Sequence, residues 1–190
     1  MSDDIDELVR SARDGDKAAF DRLVIATHAA TYTLALRLTA NEEDARDVTQ
    51  EAYLRAYKGL KRYRGDAQFT TWLYRITANC ASTFLVSRSR HRHDELFDGT
   101  DVADVRAEAD VEANADLADL RSRLDLALAE LPPRLRAVVV LRDVYDMPHE
   151  AIAAELGITV SAAKVRLHRA RHRLREQLYP EIDRVDARAV

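Results

Sequence analysis

Apolar residues recur along this chain at helical spacing, and no segment of it requires a strand. Ile5, Leu8, Val9 and Ala12 form a first stripe, ended by the run Asp14, Gly15 and Asp16. Asp16 has the chemistry of an N-cap and precedes a long stripe of Phe20, Leu23, Val24, Tyr32, Leu34, Ala35 and Leu38. Asn41, Glu42, Glu43 and Asp44 open a third helix through Val48, Ala52, Tyr53, Ala56, Tyr57 and Leu60. Residues 61–68 contain Gly65 and no regular pattern, which predicts a loop. A fourth helix over 69–87 carries Trp72, Leu73, Ile76, Cys80 and Phe84 on one face.

Residues 94–116 hold few large apolar side chains and read as a flexible acidic linker. Beyond it Leu120, Leu124, Leu126, Ala127 and Leu131 form a helix halted by Pro132 and Pro133, and residues 135–144 form another. The last two elements are a short apolar helix with Ile152 and Leu156, a glycine at 157, and a restart near Thr159. Thr159 or Ser161 can cap the restart, and Gly157 supplies the left-handed residue that a sharp turn between helices needs. The predicted fold is all-α, with two small helical domains at 1–93 and 117–180, the linker 94–116, and a tail at 181–190.

Charge changes this picture from a generic helical protein to a nucleic-acid-binding one. The net charge over 190 residues is only −4, but its distribution is segregated. Residues 2–51 are acidic, whereas 55–93 set Arg55, Lys58, Lys61, Arg62, Arg64, Arg75, Arg88, Arg90 and Arg92 against Asp66 alone. Residues 94–119 hold ten carboxylates against Arg106. The final helix carries Lys164, Arg166, Arg169, Arg171, Arg173 and Arg175 with no acidic residue among them. Ordinary surface helices mix both signs for i, i+4 pairing. A helix-turn-helix whose second helix is purely basic is suited to a DNA backbone.

Other function classes are excluded by what is missing. His149 and Glu150 open like a zinc-protease motif, but position 153 is alanine where the second histidine belongs. Neither the pair His91 and His93 nor the pair His168 and His172 brings the further ligands of a metal site. No phosphate loop or nucleophile–base motif is present, so neither catalysis nor a cofactor is expected. Cys80 is the sole cysteine and, in its apolar setting, reads as a buried thiol. The lack of a signal peptide or membrane-length apolar run predicts a cytoplasmic protein.

Four runs carry a family resemblance. DARDVTQEAYLRAY at 44–57 resembles the polymerase-binding helix of bacterial sigma factors. YRGDAQFTTWLYRITAN at 63–79 resembles the promoter-melting segment of the extracytoplasmic-function (ECF, group IV) sigma factors, and LPPRLRAVVVLR at 131–142 with the helix-turn-helix resembles their C-terminal domain. The resemblance spans about 16–93 and 117–178. It implies a protein that binds core RNA polymerase, directs it to promoters, helps open DNA and is controlled by an anti-sigma factor. Its first domain would read the −10 element and its second the −35 element.

Carried over residue by residue, the resemblance puts polymerase binding on Asp44, Asp47, Gln50 and Glu51. It assigns the −10 element to Arg62, Tyr63, Arg64, Phe69, Trp72, Tyr74, Arg75, Asn79, Ser82 and Thr83. Opened DNA is held by stacking and by edge hydrogen bonds, for which these aromatics and Asn79 have the right chemistry. The −35 element falls to Arg142, Ser161, Lys164, Val165, His168 and Arg169. The chain departs from the family pattern at Val165, often small and polar, and at Ala163, usually larger and β-branched. The linker reads either as a solvated tether or as a nucleic-acid mimic threading the polymerase RNA channel. A plain helix-turn-helix repressor would leave residues 44–79 unexplained, and a sigma mimic would have no use for the two basic surfaces.

Overall fold

The computed structural model describes residues 2–94 and 115–179, with side chains described for 4–85 and 119–179. Among the described residues eight α-helices run in order: α1 Ser2–Arg13, α2 Lys17–Thr39, α3 Glu42–Gly59, α4 Phe69–Asp94, α5 Ala115–Glu130, α6 Pro133–Val139, α7 His149–Leu156 and α8 Val160–Leu178. A 3₁₀ turn, Leu60–Arg62, follows α3, and a π turn, Val140–Val144, continues α6. Most of the expected linker and all of the expected tail lie outside the described residues. At both ends, however, helix reaches into the expected linker, at Asp94 and at Ala115. No glycine or proline interrupts 69–98, so nothing in the local chemistry stops α4 at Ser87.

Helix starts follow their caps. The Asp16 carboxylate accepts from the amides of Ala18 (2.9 Å) and Ala19 (3.3 Å), and Asn41 accepts from Asp44 (2.9 Å). Helix α2 stops at Ala40, which takes a left-handed conformation (φ 53°) and donates to the carbonyl of Leu36.

Helices α1–α4 pack around Leu8, Val9, Phe20, Leu23, Tyr53, Leu60, Phe69 and Leu73. The buried Tyr53 hydroxyl sits between Thr27 Oγ1 (2.9 Å) and Thr31 Oγ1 (3.2 Å), tying α3 to α2, and burial raises its pKa. A second apolar cluster crosses the whole molecule. It begins with Leu34, Leu38, Val48, Ala78 and Cys80 and continues into Leu128, Leu131, Val138, Leu141, Ile152, Leu167 and Leu174. The two helical units therefore meet in a shared core, through α2 and α4 on one side and α5, α6 and α7 on the other.

Ile152 has no exposed surface and lies in that shared core, whereas Glu150 on the same helix is exposed. Ile152→Ala is expected to lower stability by about 2–5 kcal/mol through lost burial and a residual cavity. Glu150→Ala is expected to stay within about 0.5 kcal/mol. Urea unfolding followed by circular dichroism measures both.

Candidate polymerase and nucleic-acid interfaces

Three surfaces gather the residues expected to work together. On α3, Asp47 and Gln50 are exposed and Glu51 is half-buried, held by a 2.6 Å ion pair with Arg55. Asp44 does not join them. It sits at 8% exposure, because Asn41 caps its amide and turns it into the helix's inner first turn. In its place the ridge continues into Leu54 and Tyr57, both 48% exposed. With Phe20, Tyr53, Lys17 and Asp21 they line a shallow apolar groove of about 470 Å³ between α2 and α3. Tyr57 lies on the apolar stripe that the sequence pattern gives the third helix, and Leu54 lies off it. Both follow Gln50 at helical spacing, and that was the available signal.

The loop after α3 is braced by aromatics. The Tyr63 hydroxyl donates to the carbonyl of Ala67, and its ring lies 5.0 Å from Trp72 and 6.2 Å from Phe69. Phe69 is 1% exposed and belongs to the core, so it cannot wall a base pocket directly. Trp72 is half-buried over Gly59, where a Cβ would come within 3.3 Å of the indole. These rings hold the loop in place, while Arg62 and Arg64 project into solvent.

Along α4, Trp72, Arg75, Asn79, Ser82 and Thr83 share one face by their spacing of three and four residues. Tyr74 does not; it points towards the second unit and meets Tyr145 edge-on at 4.9 Å. Asn79 Oδ1 accepts from Arg55 (3.2 Å), and its side chain also hydrogen-bonds Glu155 of α7. Arg75 lies within electrostatic reach of the same carboxylate. Burial pushes the Glu155 carboxyl upward, against the pull of Arg75 and Asn79.

In the second unit, Gly157 takes φ 61° and ends α7, and Ile158 donates to the carbonyl of Ala153 (3.0 Å). Thr159, not Ser161, caps α8, accepting from the amide of Ala162 (3.1 Å). Ala163, Leu167, Ala170 and Leu174 bury one stripe of α8. The opposite side exposes Ser161, Lys164, Val165 (47%), His168 and Arg169 together. Ala163 is core, so its departure from the family pattern does not touch that exposed face. Arg142 stands apart: it bonds Asp146 (3.1 Å) and the carbonyl of Met147 (3.0 Å), bracing the turn before α7. Arg171 is likewise engaged, forked onto Asp143 at 2.9 and 2.5 Å. A groove of about 640 Å³ between α6 and α8 adds Arg134, Arg166 and Arg173 beside His168 and Arg169. Arg134 was missed because it stands alone at the start of a different helix.

Comparison with known proteins gives the family. The family model for sigma-70 region 2 matches residues 23–91, and that for sigma-70 region 4 matches residues 121–174. The RNA polymerase sigma-H factor of Pseudomonas aeruginosa is 34% identical over 92% of this chain and 93% of its own. The ECF RNA polymerase sigma-E factor of Escherichia coli K12 is 32% identical over 93% and 95%. The chain belongs to the ECF sigma factors. It is a transcription-initiation protein that works with core RNA polymerase at promoters, and not an enzyme. A solved structure of CnrH in complex with the cytosolic domain of CnrY is similar, with 26% identity, a TM-score of 0.56 and coverage of 95% of this chain and 99% of that one.

In this sigma factor Cys80 follows Asn79 directly but points into the core at 4% exposure, and burial pushes its thiol up to about 11. At pH 8 the thiolate fraction is then about a hundredfold below that of an exposed cysteine. Iodoacetamide labelling of the native chain is expected to be slower than that of the urea-unfolded chain by at least that factor. Equal rates would place Cys80 outside the core.

Proposed function

We propose that the three surfaces divide the work of initiation. The α3 ridge of Asp47, Gln50 and Glu51, with the apolar groove at Leu54 and Tyr57, docks on core polymerase. Its carboxylates suit a basic partner, and its groove suits an apolar side chain. Arg75, Asn79, Ser82 and Thr83 hold the opened −10 strand, with Arg62 and Arg64 on the backbone and Tyr63 and Trp72 bracing the loop. Asn79 offers both a donor and an acceptor to a base edge. Ser161, Lys164, Val165, His168 and Arg169 read the −35 element in the major groove, Lys164 by donation to a guanine edge and Val165 against a thymine methyl.

The observation that carries this reading is the grouping: five of the −10 residues fall on one face of α4, and five of the −35 residues on one face of α8. The working units are residues 1–93 and 117–180, and the acidic segment between them acts as a tether. CnrH, a similar chain, was solved with the cytosolic domain of CnrY. Membership of the family supports control of this factor by an anti-sigma protein, and that structure shows a similar chain with a protein partner bound. Among the described residues no helix is long and apolar enough to cross a membrane. A cytoplasmic location alongside polymerase follows from the function.

In-vitro transcription with core polymerase and a library of genomic fragments should yield defined RNA starts that depend on the added chain. Asn79→Ala is expected to retain polymerase binding and lose roughly tenfold in open-complex formation, the scale of about one lost base-edge contact. Potassium permanganate footprinting reads the opening. Lys164→Ala is expected to weaken initiation only at promoters carrying the −35 element, measured by swapping that element between templates. Asn79→Ala opening DNA as well as the wild type would remove the pocket assignment.

A further inference from the structure

Arg55 stands between the acidic ridge of α3 and the face of α4 that carries Asn79, and its side chain grips both. Nε donates to Glu51 Oε1 at 2.6 Å, one helical turn back on α3. Nη1 donates to Asn79 Oδ1 at 3.2 Å, across on α4. The first bond is a charge-assisted i, i+4 pair that steadies the guanidinium. The second holds a single atom of the Asn79 side chain. Helices α3 and α4 pack directly on each other, so their backbones keep the two residues in register.

An asparagine amide has an acceptor at one end and two donors at the other, and a half-turn about its last bond exchanges them. Arg55 removes that freedom. A guanidinium can only donate, so it takes the oxygen and leaves the NH2 end turned away from α3. The partner at that other end is consistent with this orientation. Burial raises the pKa of the Glu155 carboxyl, and its hydrogen bond with the Asn79 side chain opposes the rise, as donation to a carboxylate does.

We propose that Arg55 is the positioning residue of the −10 reader: anchored by Glu51, it holds Asn79 with the NH2 group outward, so the base met there must offer an acceptor, a ring nitrogen or a carbonyl oxygen. The proposal rests on the assignment of Asn79 to the opened strand. Arg55 acts through Asn79 and touches no base itself. With the amide set before the strand arrives, no ordering of it remains to be done in the complex. An amide free to turn presents the wrong end for part of the time, and its apparent contribution falls by that fraction.

A double-mutant cycle separates this role from a direct phosphate contact or a defect of folding. Arg55→Met, Asn79→Ala and the pair are each assembled with core polymerase, and promoter opening is read with potassium permanganate. Arg55→Met is expected to slow opening about fivefold beside a native Asn79, the scale of one hydrogen bond. In the Asn79→Ala background it is expected to change nothing. Across single-base changes in the −10 element, the position at which Asn79→Ala erases base preference is the one at which Arg55→Met blunts it.

Equal losses in both backgrounds overturn the proposal, because Arg55 then acts on phosphate or on the fold and not through Asn79. So does an Arg55→Met chain that opens DNA at the wild-type rate. In either case, an Asn79→Ala chain that opens poorly leaves the −10 reading standing and removes only the role of Arg55. An Asn79→Ala chain that opens as the wild type does removes both.

Discussion

A buried arginine at the end of a helix governs the shape of this molecule. Burial opposes the charge on Arg136 and brings its pKa down to about 10, so it remains charged at neutral pH inside a largely apolar contact. Such a cation is tolerated only where acceptors surround it. Helix α2 supplies them, because its last carbonyls have no amide partners further along the helix and carry the negative end of the helix dipole. Ala40, in its left-handed conformation, turns the chain away from those carbonyls and leaves them facing α6. One side chain thus satisfies the frayed end of one unit while anchored to Ala129 in the other.

The other inter-unit contacts are placed around that tie. Arg37 is one residue from Leu38, so its pairing with Asp125 is geometrically linked to the Arg136 bonds. The π turn after α6 shifts the register by widening one helical turn. It buries Val140 and Leu141 while bringing Tyr145 to Tyr74 and Arg37. Helix α7 then falls across α4. The apolar faces of the two units form a continuous core. Arg136 and the Arg37–Asp125 pair hold that core in register through polar contacts, which water and a partner surface can replace more readily than they can replace buried leucines.

Much of this could be read from the residues, and the parts that could not share a cause. Asp16, Asn41, Gly157 and Thr159 announce helix ends because capping depends on atoms two or three residues away. The buried stripes of α8 and the buried Cys80 follow from periodicity alone. Asp44 and Phe69 misled, one as an acid in an acidic run and the other as an aromatic in a basic run, since composition does not say which side of a helix start faces inward. Arg136 gave no signal at all. It lies 97 and 98 residues from its two acceptors on α2, and nothing local distinguishes it from the exposed Arg134. The docking of the two units rests on the same kind of long-range pairing, which no local pattern of residues specifies.

The central claim is that the face of α4 carrying Arg75 and Asn79 holds the opened promoter strand in the transcription complex. Photocrosslinking from position 75, with a benzophenone side chain in place of Arg75, tests it directly. The account predicts crosslinks to the opened strand once core polymerase and promoter are added. An actively transcribing complex with no crosslinks to DNA would contradict it.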